Sequence, residues 1–497
     1  MNNLFYSYYF LTAEIFCITI TLFLLIFGVI FSVNQNFGFT NLQKIFFFFS
    51  LQISFFALCC LFNQADISYF FWNKFLFSNS FTLYSKIFLF IFSSFITVLS
   101  VNYIRVNQIY FFEYWILFWL SLVSITFVIH SFDLLAIYIS IELQSLIFYI
   151  LTSINRTSEF STEAGLKYFI LGAFSSAFLL FGVSVIYALT GITNLNDFSK
   201  LFSGLVLERD FLSISLILGV IFIFVTILFK LNIAPFHFWS PDVYDGAPLS
   251  VTSIFAILPK IALVGLLIKF YYFAFFDFSF VTKFFIIFCC ILSSIFGTLG
   301  AFLQSKWKRF IAFSAIGHGS FILLALITNN EYALNCIFFF LLIYSISSLS
   351  FFLIITNLNF YHFPNFNQSR FILDTKNLSL NNSILSLCLL ITTFSLAGIP
   401  PLAGFFSKFF ILTAAIKDKF FGLTIFVILM NCFSSFYYLR FSKVFYFDEC
   451  QKHLVLRSMT KVTSYAIIIC VFILVFMILD LELFFVISKL MVSPFLS

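Results

Sequence analysis

Four ionisable side chains lie inside long apolar stretches of this chain: Glu142, Lys230, Lys260 and Lys408. Lys260 is the clearest case, because no other charged residue lies between 247 and 268. At the centre of a bilayer one Lys, Arg or Asp costs about 2.5–3.5 kcal/mol, so four such groups cost on the order of 10 kcal/mol. Membrane proteins retain such groups where they carry ions or protons, or where they pair in a buried polar track. The four side chains therefore predict proton transport.

The composition is that of a helical protein that crosses a membrane many times. Of 497 residues, 62% are hydrophobic and 9% are charged, and the mean hydropathy is +1.10. A typical soluble domain has about 25% charged residues. Long apolar runs recur along the whole chain, and each helical span needs about 20 apolar residues. We predict an all-α fold with about fourteen transmembrane helices.

Two of the predicted spans are too long for one straight helix. We place the fourteen spans near 8–31, 45–62, 85–101, 114–130, 133–152, 165–190, 211–239, 249–275, 283–302, 309–327, 333–356, 383–415, 421–439 and 463–487. The seventh contains Pro235, and the twelfth contains Gly398, Pro400, Pro401 and Gly404. Proline removes a backbone donor and clashes with the preceding turn. Both helices are therefore expected to be interrupted inside the membrane, where protein or a wet cavity must cover the freed backbone.

The two interrupted helices stand at matching places in two repeats. We divide the chain into residues 1–105 (helices 1–3), 106–280 (a first antiporter-like repeat, helices 4–8), 281–445 (a second repeat, helices 9–13) and 446–497 (a loop and helix 14). The fourth helix of each repeat is broken, and it carries Lys230 in one repeat and Lys408 in the other. Paired discontinuous helices in two halves are the best sequence pointer to a transport site.

The loop charges predict the orientation. Loops after odd-numbered spans hold fourteen Lys and Arg, and the opposite side holds nine, among them Lys86 and Lys269. We call these the basic face and the less basic face. By the positive-inside rule the basic face meets the cytoplasm or the mitochondrial matrix, and both termini lie on the other side. Glu14 and Glu113 lie near span ends and are expected to reach the interface. The net charge of +6 is a topology signal and needs no nucleic-acid partner.

No cofactor-binding pattern is present in the sequence. The ten cysteines are scattered and form no CxxC or CxH cluster, so neither an iron–sulfur cluster nor a structural zinc is indicated. We interpret them as small buried hydrophobic residues. There is also no GxGxxG after a strand and no flavin motif. The sequence therefore predicts that this chain holds no cofactor.

Five segments together resemble one protein family. They are 133–149, 161–191, 230–260, 308–319 and 395–410, and they are similar to the subunit 2 family of proton-pumping NADH:quinone oxidoreductase, which is respiratory complex I. The runs 142–145 and 236–244 favour this family over Mrp-type sodium/proton antiporter subunits and over the other two antiporter-like subunits of complex I. The resemblance extends from about residue 10 to about 445, and 13–31 is closer to mitochondrial versions than to plastid ones. Residues 357–382 resemble nothing that we can align.

The resemblance implies a location, partners and roles. The chain is expected in the mitochondrial inner membrane, beside other antiporter-like subunits, accessory subunits and lipids, with both termini on the intermembrane-space side. NADH, FMN, the iron–sulfur clusters and ubiquinone are expected in partner subunits. Glu142 is implied to partner a lysine, and Lys230, Lys260 and Lys408 to line a hydrated polar axis along the middle of the membrane.

Three further residues are weaker candidates for the proton path: Lys167, His237 and His318. Lys167 follows Glu163 by four residues, so a surface helix pair is an equal alternative. His237 is separated from the end of its helix by Pro235, and a hydrogen-bonded structural histidine is its alternative. The same alternative applies to His318.

The expected mechanism depends on how a buried lysine holds its proton. A lysine in water has a pKa of about 10.4. Burial disfavours the charged form and a nearby carboxylate restores it, so a lysine exposed to both conditions in turn loads and releases a proton. We expect Lys230 and Lys260 to exchange protons through buried water, Glu142 to bias Lys230, and Lys408 to pass protons towards one exit. The alternatives are a static ion pair involving Lys260 and Glu142, an Mrp-type Na⁺/H⁺ antiporter subunit, and a membrane scaffold.

Overall fold

The computed structural model describes residues 8–32, 38–107, 111–203, 211–362, 365–448 and 455–496, and these are mainly helical. The first half contains α1 (Thr12–Ser32), α2 (Gly38–Phe62), α3 (Ser80–Val106), α4 (Glu113–His130), α5 (Leu134–Thr152), α6 (Glu159–Thr190), α7 (Leu195–Phe202), α8 (Phe211–Lys230), α9 (Trp239–Gly246) and α10 (Leu249–Ile268). The second half contains α11 (Ser279–Phe302), α12 (Trp307–Leu326), α13 (Glu331–Asn357), α14 (Leu378–Asn381), α15 (Ser383–Ala397), α16 (Ala403–Lys417), α17 (Phe421–Tyr446), α18 (Lys461–Phe476) and α19 (Leu481–Leu496).

The number of spans agrees with the sequence. Within the described ranges, 13 helices are long and apolar enough to cross a membrane. The predicted twelfth span is formed by α15 and α16, two consecutive helices that are each shorter than a full span. The last span is α18 and α19 joined through a 3₁₀ turn, Met477–Asp480. The predicted all-α polytopic membrane fold is confirmed. The division into four segments stays a prediction.

Two small hairpins were not predicted. β1 (Tyr69–Phe71) pairs antiparallel with β2 (Leu76–Ser78), and β3 (Asn359–His362) pairs with β4 (Asn365–Gln368). The second hairpin lies in the segment 357–382, together with α14 and a 3₁₀ turn, Ile372–Thr375. The strands are three or four residues long, too short for a period-two pattern to stand out from the apolar sequence around them.

The two helices that lie at the centre are α10 and α13. Both are buried around their whole circumference, as expected for helices that are apolar on every side. α10 packs against α3, α4 and α13, and α13 packs against α15 and α16. A π-helical turn, Lys269–Ala274, continues α10. Any ionisable group in the middle of these two helices is therefore kept from lipid by other protein.

Both predicted helix interruptions are present. α8 ends at Lys230, and the chain runs through a cis Ala234–Pro235 bond before α9 begins. Trp239 Nε1 donates to Phe229 O (3.0 Å), which supplies a partner for one of the carbonyls freed at the end of α8. The second interruption separates α15 from α16 and contains Gly398 in a left-handed conformation (φ +81°).

Candidate proton-transfer axis

Lys260 lies on α10, and its ammonium group is buried between the two central helices. Lys260 Nζ donates to Tyr344 Oη of α13 (2.7 Å). Its side chain is buried, with 6% of the residue exposed. An ammonium group has three N–H donors, and Tyr344 is the only hydrogen-bond acceptor that the described residues give it. The remaining donors need water or a mobile partner.

A small cavity lies where those donors can point. It has a volume of about 10 Å³ and is lined by Lys260, Tyr344, His318 and the backbone region of Leu231 and Ile233 that follows α8. One buried water needs about 10–15 Å³. The cavity therefore has room for about one water molecule between the lysine of α10 and the first interrupted helix.

His318 of α12 stands between this cavity and a second one. Its ring centroid lies 5.2 Å from that of Tyr344, and its Nε2 lies 3.5 Å from Tyr438 Oη. The second cavity, of about 20 Å³, is lined by His318, Tyr438 and Lys408 among others. His318 Nδ1 is buried without a hydrogen-bond partner among the described residues. The histidine thus adjoins two spaces of about one water each, one beside Lys260 and one beside Lys408.

Lys408 lies at the second helix interruption. Its Nζ donates to Leu396 O (2.9 Å), to Ala397 O (2.9 Å) and to Asn431 Oδ1 of α17 (2.8 Å). The two carbonyls are the last of α15, where a helix has unsatisfied acceptors and the negative end of its dipole. All three N–H groups of the charged form therefore have acceptors.

Gly398 makes room for this arrangement. Its positive φ closes the end of α15, and a Cβ at this position would lie 2.9 Å from Lys408 Cδ. A larger residue would meet both backbone strain and the lysine side chain.

Lys230 and Glu142 are near each other but not in contact. The Glu142 carboxylate acts electrostatically on the Lys230 ammonium group, yet no ion pair within 4.0 Å joins them in the described ranges. Glu142 Oε1 has no hydrogen-bond partner there, and Ser145 Oγ lies 3.5 Å from Oε2. The partnership of Glu142 and Lys230 stays a prediction.

Lys167 and His237 lie outside the two cavities. Lys167 Nζ forms ion pairs with Glu163 (2.8 Å) and Asp242 (3.0 Å), and its side chain is 44% exposed. These contacts favour the surface-pair interpretation. The ring centroid of His237 lies 5.1 Å from that of Phe296, and the two rings are tilted by 34°. Neither residue is brought to Lys260, and their roles in the proton path stay predictions.

The sequence did not single out the acidic residues of α9. Asp242 pairs with Lys167 and with Arg309 (3.1 Å), and Asp245 pairs with Arg309 (3.0 Å) and Lys306 (2.8 Å). These ion pairs tie the second half of the interrupted helix to α6 and α12 at the basic face. Exposed pairs contribute about 0–1 kcal/mol each, so they orient α9 more than they stabilise it.

The expectation that Glu14 reaches the interface was wrong. Glu14 is 1% exposed and forms a buried ion pair with Lys86 (3.1 Å). Lys86 and Lys269, which we had assigned to loops, are buried as well. The positions of these residues near span ends did not indicate their burial. The burial depends on how α1, α3, α4 and the end of α10 pack together.

Comparison with known proteins places the chain in a family. The family described as "NADH:quinone oxidoreductase/Mrp antiporter, TM" matches residues 131–434. A relative from Marchantia polymorpha, NADH-ubiquinone oxidoreductase chain 2, is 37% identical over 93% of this chain and 94% of its own length. Its counterpart from Arabidopsis thaliana is 36% identical over 90% and 88%. NADH-quinone oxidoreductase subunit N of Pelagibacter ubique is 39% identical over 72% and 73%.

Solved structures show the same fold at lower identity. A chain of respiratory complex I from Thermus thermophilus with bound aureothin has a TM-score of 0.78 at 23% identity, covering 95% of this chain and 98% of that one. A chain of the Mrp complex from Dietzia sp. DQ12-45-1b has a TM-score of 0.78 at 16% identity, with 97% of each chain covered.

An all-α membrane fold with two interrupted helices and buried lysines defines an antiporter-like membrane subunit. The chain belongs to the NADH:quinone oxidoreductase/Mrp antiporter transmembrane family. Within it, the relatives named chain 2 confirm the predicted likeness to subunit 2 of mitochondrial NADH:ubiquinone oxidoreductase.

Proposed function

We propose that this chain is a core membrane-arm subunit of proton-pumping NADH:ubiquinone oxidoreductase and carries protons along Lys230, Lys260 and Lys408, with Glu142 biasing the first of them. The observation that carries the proposal is the pair of water-sized cavities that connect Lys260, through His318, to Lys408. Relatives that share 93% of this chain's length bear the name of such a subunit.

The lysines differ in how well their charged forms are held. Among the described residues, the ammonium group of Lys408 has three acceptors and that of Lys260 has one. That of Lys230 has no hydrogen-bond acceptor there and is influenced by the charge of Glu142. A proton moves from one of these lysines to the next when water molecules or side chains between them shift by a small distance. His318 and Tyr344 supply groups that can both donate and accept between the lysines.

Redox chemistry belongs to the partner subunits in this proposal. The energy for moving protons comes from electron transfer between NADH and ubiquinone, and we infer that NADH, FMN, the iron–sulfur clusters and the quinone are bound elsewhere. The scattered cysteines support this inference. Neighbouring antiporter-like subunits, accessory subunits and inner-membrane lipids are the expected partners, and no nucleic acid is involved.

Replacement of Lys260 in the assembled complex tests the proposal. Lys260→Arg keeps the positive charge, but arginine is not deprotonated in proteins. In proteoliposomes, we expect proton uptake per NADH to fall several-fold while native gels show normal assembly. Lys306→Arg is the matched control. Lys306 forms an ion pair with Asp245 at the surface, and an arginine at this position can form the same ion pair. Normal pumping by assembled Lys260→Arg would assign that lysine to charge pairing alone.

The same preparation separates this function from the alternatives. An Mrp-type antiporter subunit would exchange Na⁺ and H⁺ down existing gradients without NADH-dependent quinone reduction. A scaffold would tolerate loss of the buried lysines. Copurification of NADH:quinone reductase activity with this chain excludes the first, and loss of pumping in an assembled Lys260→Ala complex excludes the second.

A further inference from the structure

A second group of buried ionisable side chains lies where α1, α3 and α4 meet. Lys86 Nζ lies 3.1 Å from Glu14 Oε1, and His130 Nε2 lies 3.3 Å from the same oxygen. All three side chains are at most 1% exposed. Glu14 and Lys86 lie in the first two turns of their helices and His130 ends α4. The loop charges assign these helix ends to the less basic face.

The ammonium group of Lys86 has several acceptors around it. Besides Glu14, its ammonium group donates to Phe10 O (3.2 Å) and lies 3.5 Å from Gln64 Oε1. Three acceptors therefore surround its three N–H groups. The buried thiol of Cys17, one turn after Glu14, is a further titratable neighbour. Gln64 is half-buried and is the member of this group closest to solvent.

A second cation stands on the other side of His130. Lys269 Nζ, at the end of α10, donates to Ile129 O (2.5 Å) and Ser131 O (3.0 Å), the carbonyls that flank the histidine. Asp133 is the remaining charged neighbour, and its carboxylate accepts from Leu135 N at the start of α5 (2.9 Å) and from Thr193 Oγ1 of the segment before α7 (2.7 Å) instead. His130 itself closes α4, where the helix dipole favours positive charge.

The two polar contacts of the His130 ring, with Phe77 O and with Glu14, bear on how many protons His130 and Glu14 hold together. Its Nδ1 lies 3.1 Å from Phe77 O, and because a carbonyl can only accept, Nδ1 carries a hydrogen. A neutral imidazole has one N–H, so Nε2 would then direct a lone pair at the Glu14 carboxylate. His130 Nε2 and both carboxylate oxygens of Glu14 are buried without a hydrogen-bond partner among the described residues. Nε2 and Oε1 lie 3.3 Å apart, so one added proton, on Nε2 or on Oε1, turns a contact between lone pairs into an attractive one. The pair is therefore a site for a single shared proton.

We propose that Glu14 and His130 form a proton-release site on the less basic face, which receives protons that leave the lysine axis and passes them to the water outside. Lys260 and Lys269 are nine residues apart, about 14 Å along α10 and its π-helical continuation, so one helix leads from the axis to the side of His130. The proposal rests on the proposed function of the chain.

The step balances without any further reactant. In the released state the carboxylate, the neutral imidazole and the Lys86 ammonium group sum to zero charge. Uptake of one proton gives a charge of plus one, with the proton on Nε2 or on Oε1. Release transfers that proton to water as hydronium and restores the neutral sum. Lys86 keeps its proton throughout and holds the Glu14 carboxylate in place.

Two substitutions in the assembled complex test the site. Glu14→Gln keeps the size of the side chain and an acceptor for Lys86 but cannot take up the proton, and His130→Gln keeps a donor towards Glu14 but cannot transfer one. For both we expect normal assembly, a several-fold lower ratio of protons pumped per NADH, and loss of a carboxylic-acid C=O band or an imidazolium band from redox-induced infrared difference spectra.

Trp115→Phe is the matched control. It breaks an equally buried hydrogen bond, from Trp115 Nε1 to Gln43 Oε1 (2.7 Å), between α4 and α2 without removing a titratable group. Its proton-to-NADH ratio should match that of the unmodified complex. A loss of pumping as large as that of Glu14→Gln would show that packing alone is responsible, and would overturn the proposal.

The remaining outcomes are equally decisive. Normal pumping by assembled Glu14→Gln or His130→Gln overturns the proposal, and if Lys260→Arg still fails to pump, the proposed function of the chain stands without this site. If neither variant assembles, infrared difference spectra of the unmodified complex decide. A spectrum in which neither a carboxylic-acid band nor an imidazolium band changes would then overturn the shared-proton site.

Discussion

Tyr344 contacts more members of the proposed proton path than any of its lysines does. Its hydroxyl accepts from Lys260, its ring lies beside His318, and it lines the cavity between them. A hydroxyl can accept from a charged lysine and donate to a neutral one. The side chain is therefore suited to both protonation states of Lys260, which a carbonyl acceptor would not be.

We predict that Tyr344→Phe separates assembly from pumping. The substitution keeps the ring and removes a hydrogen bond to a charged group, worth about 1.5–3 kcal/mol. Native gels should show normal assembly, and proton uptake per NADH in proteoliposomes should fall. Tyr272→Phe is the control, because it removes a buried tyrosine hydrogen bond, to Leu326 O (3.2 Å), away from the lysines. Equal pumping by the two variants would contradict a role for Tyr344.

A second residue-scale prediction concerns Glu142. Glu142→Gln removes the one negative charge that acts on Lys230, so a charged lysine becomes harder to hold there and coupling should weaken. Glu142→Asp should retain part of the coupling because it keeps the charge. Proton uptake and NADH oxidation measured together give the coupling ratio. Glu163→Gln, which removes the exposed partner of Lys167, should leave that ratio unchanged. An unaltered ratio in Glu142→Gln would rule out the biasing role.

At the scale of elements, the two helix interruptions do different things. The first leaves α8 with a lysine at its end and turns the chain back into a short helix held by ion pairs at the basic face. The second aims the carbonyl end of α15 at Lys408. At the second interruption the end of α15 accepts hydrogen bonds from Lys408, whereas at the first interruption Lys230 is itself the last residue of α8.

Gly398→Ala tests the second interruption. A non-glycine residue at positive φ costs about 1–2 kcal/mol, and here the new Cβ would also meet Lys408 Cδ at 2.9 Å. We expect assembly with reduced thermal stability and a clear loss of proton uptake. Gly191→Ala is a close control, because Gly191 also closes a helix at positive φ (+69°) but nothing lies within 4 Å of its Cβ position. Similar pumping by both variants would mean that Lys408 is not disturbed.

The sequence was sufficient for features that stand out locally. Lys260 and the prolines of the interrupted helices contrast with their apolar surroundings. The buried lysine was therefore predicted from its charge alone, and the helix interruptions were predicted from the backbone chemistry of proline. Tyr344 and Asn431 are polar but uncharged, and helices of this kind contain many such residues that only hydrogen-bond their own turn. The Glu14 and His130 pair is formed by helices more than a hundred residues apart, and no spacing rule brings them together.

For the whole molecule, the burial of two lysines bears on the predicted orientation. Lys86 and Lys269 were counted with the loops of the less basic face, and both are enclosed by helices. Without them that side has seven basic residues against fourteen on the other. The positive-inside rule counts Lys and Arg near the span ends, and the smaller count on this side leaves the direction of the predicted orientation unchanged.

We predict that both termini lie outside the matrix. In sealed inner-membrane vesicles of known sidedness, protease-cleavable tags at the two termini should be cut from the intermembrane-space side. A tag inserted beside the exposed Ser458, in the loop before α18, should be cut only from the matrix side, because an odd number of predicted spans separates it from the N-terminus. Termini on opposite sides would contradict fourteen spans. Both termini in the matrix would invert the orientation and place the Glu14 and His130 pair at the face where protons enter.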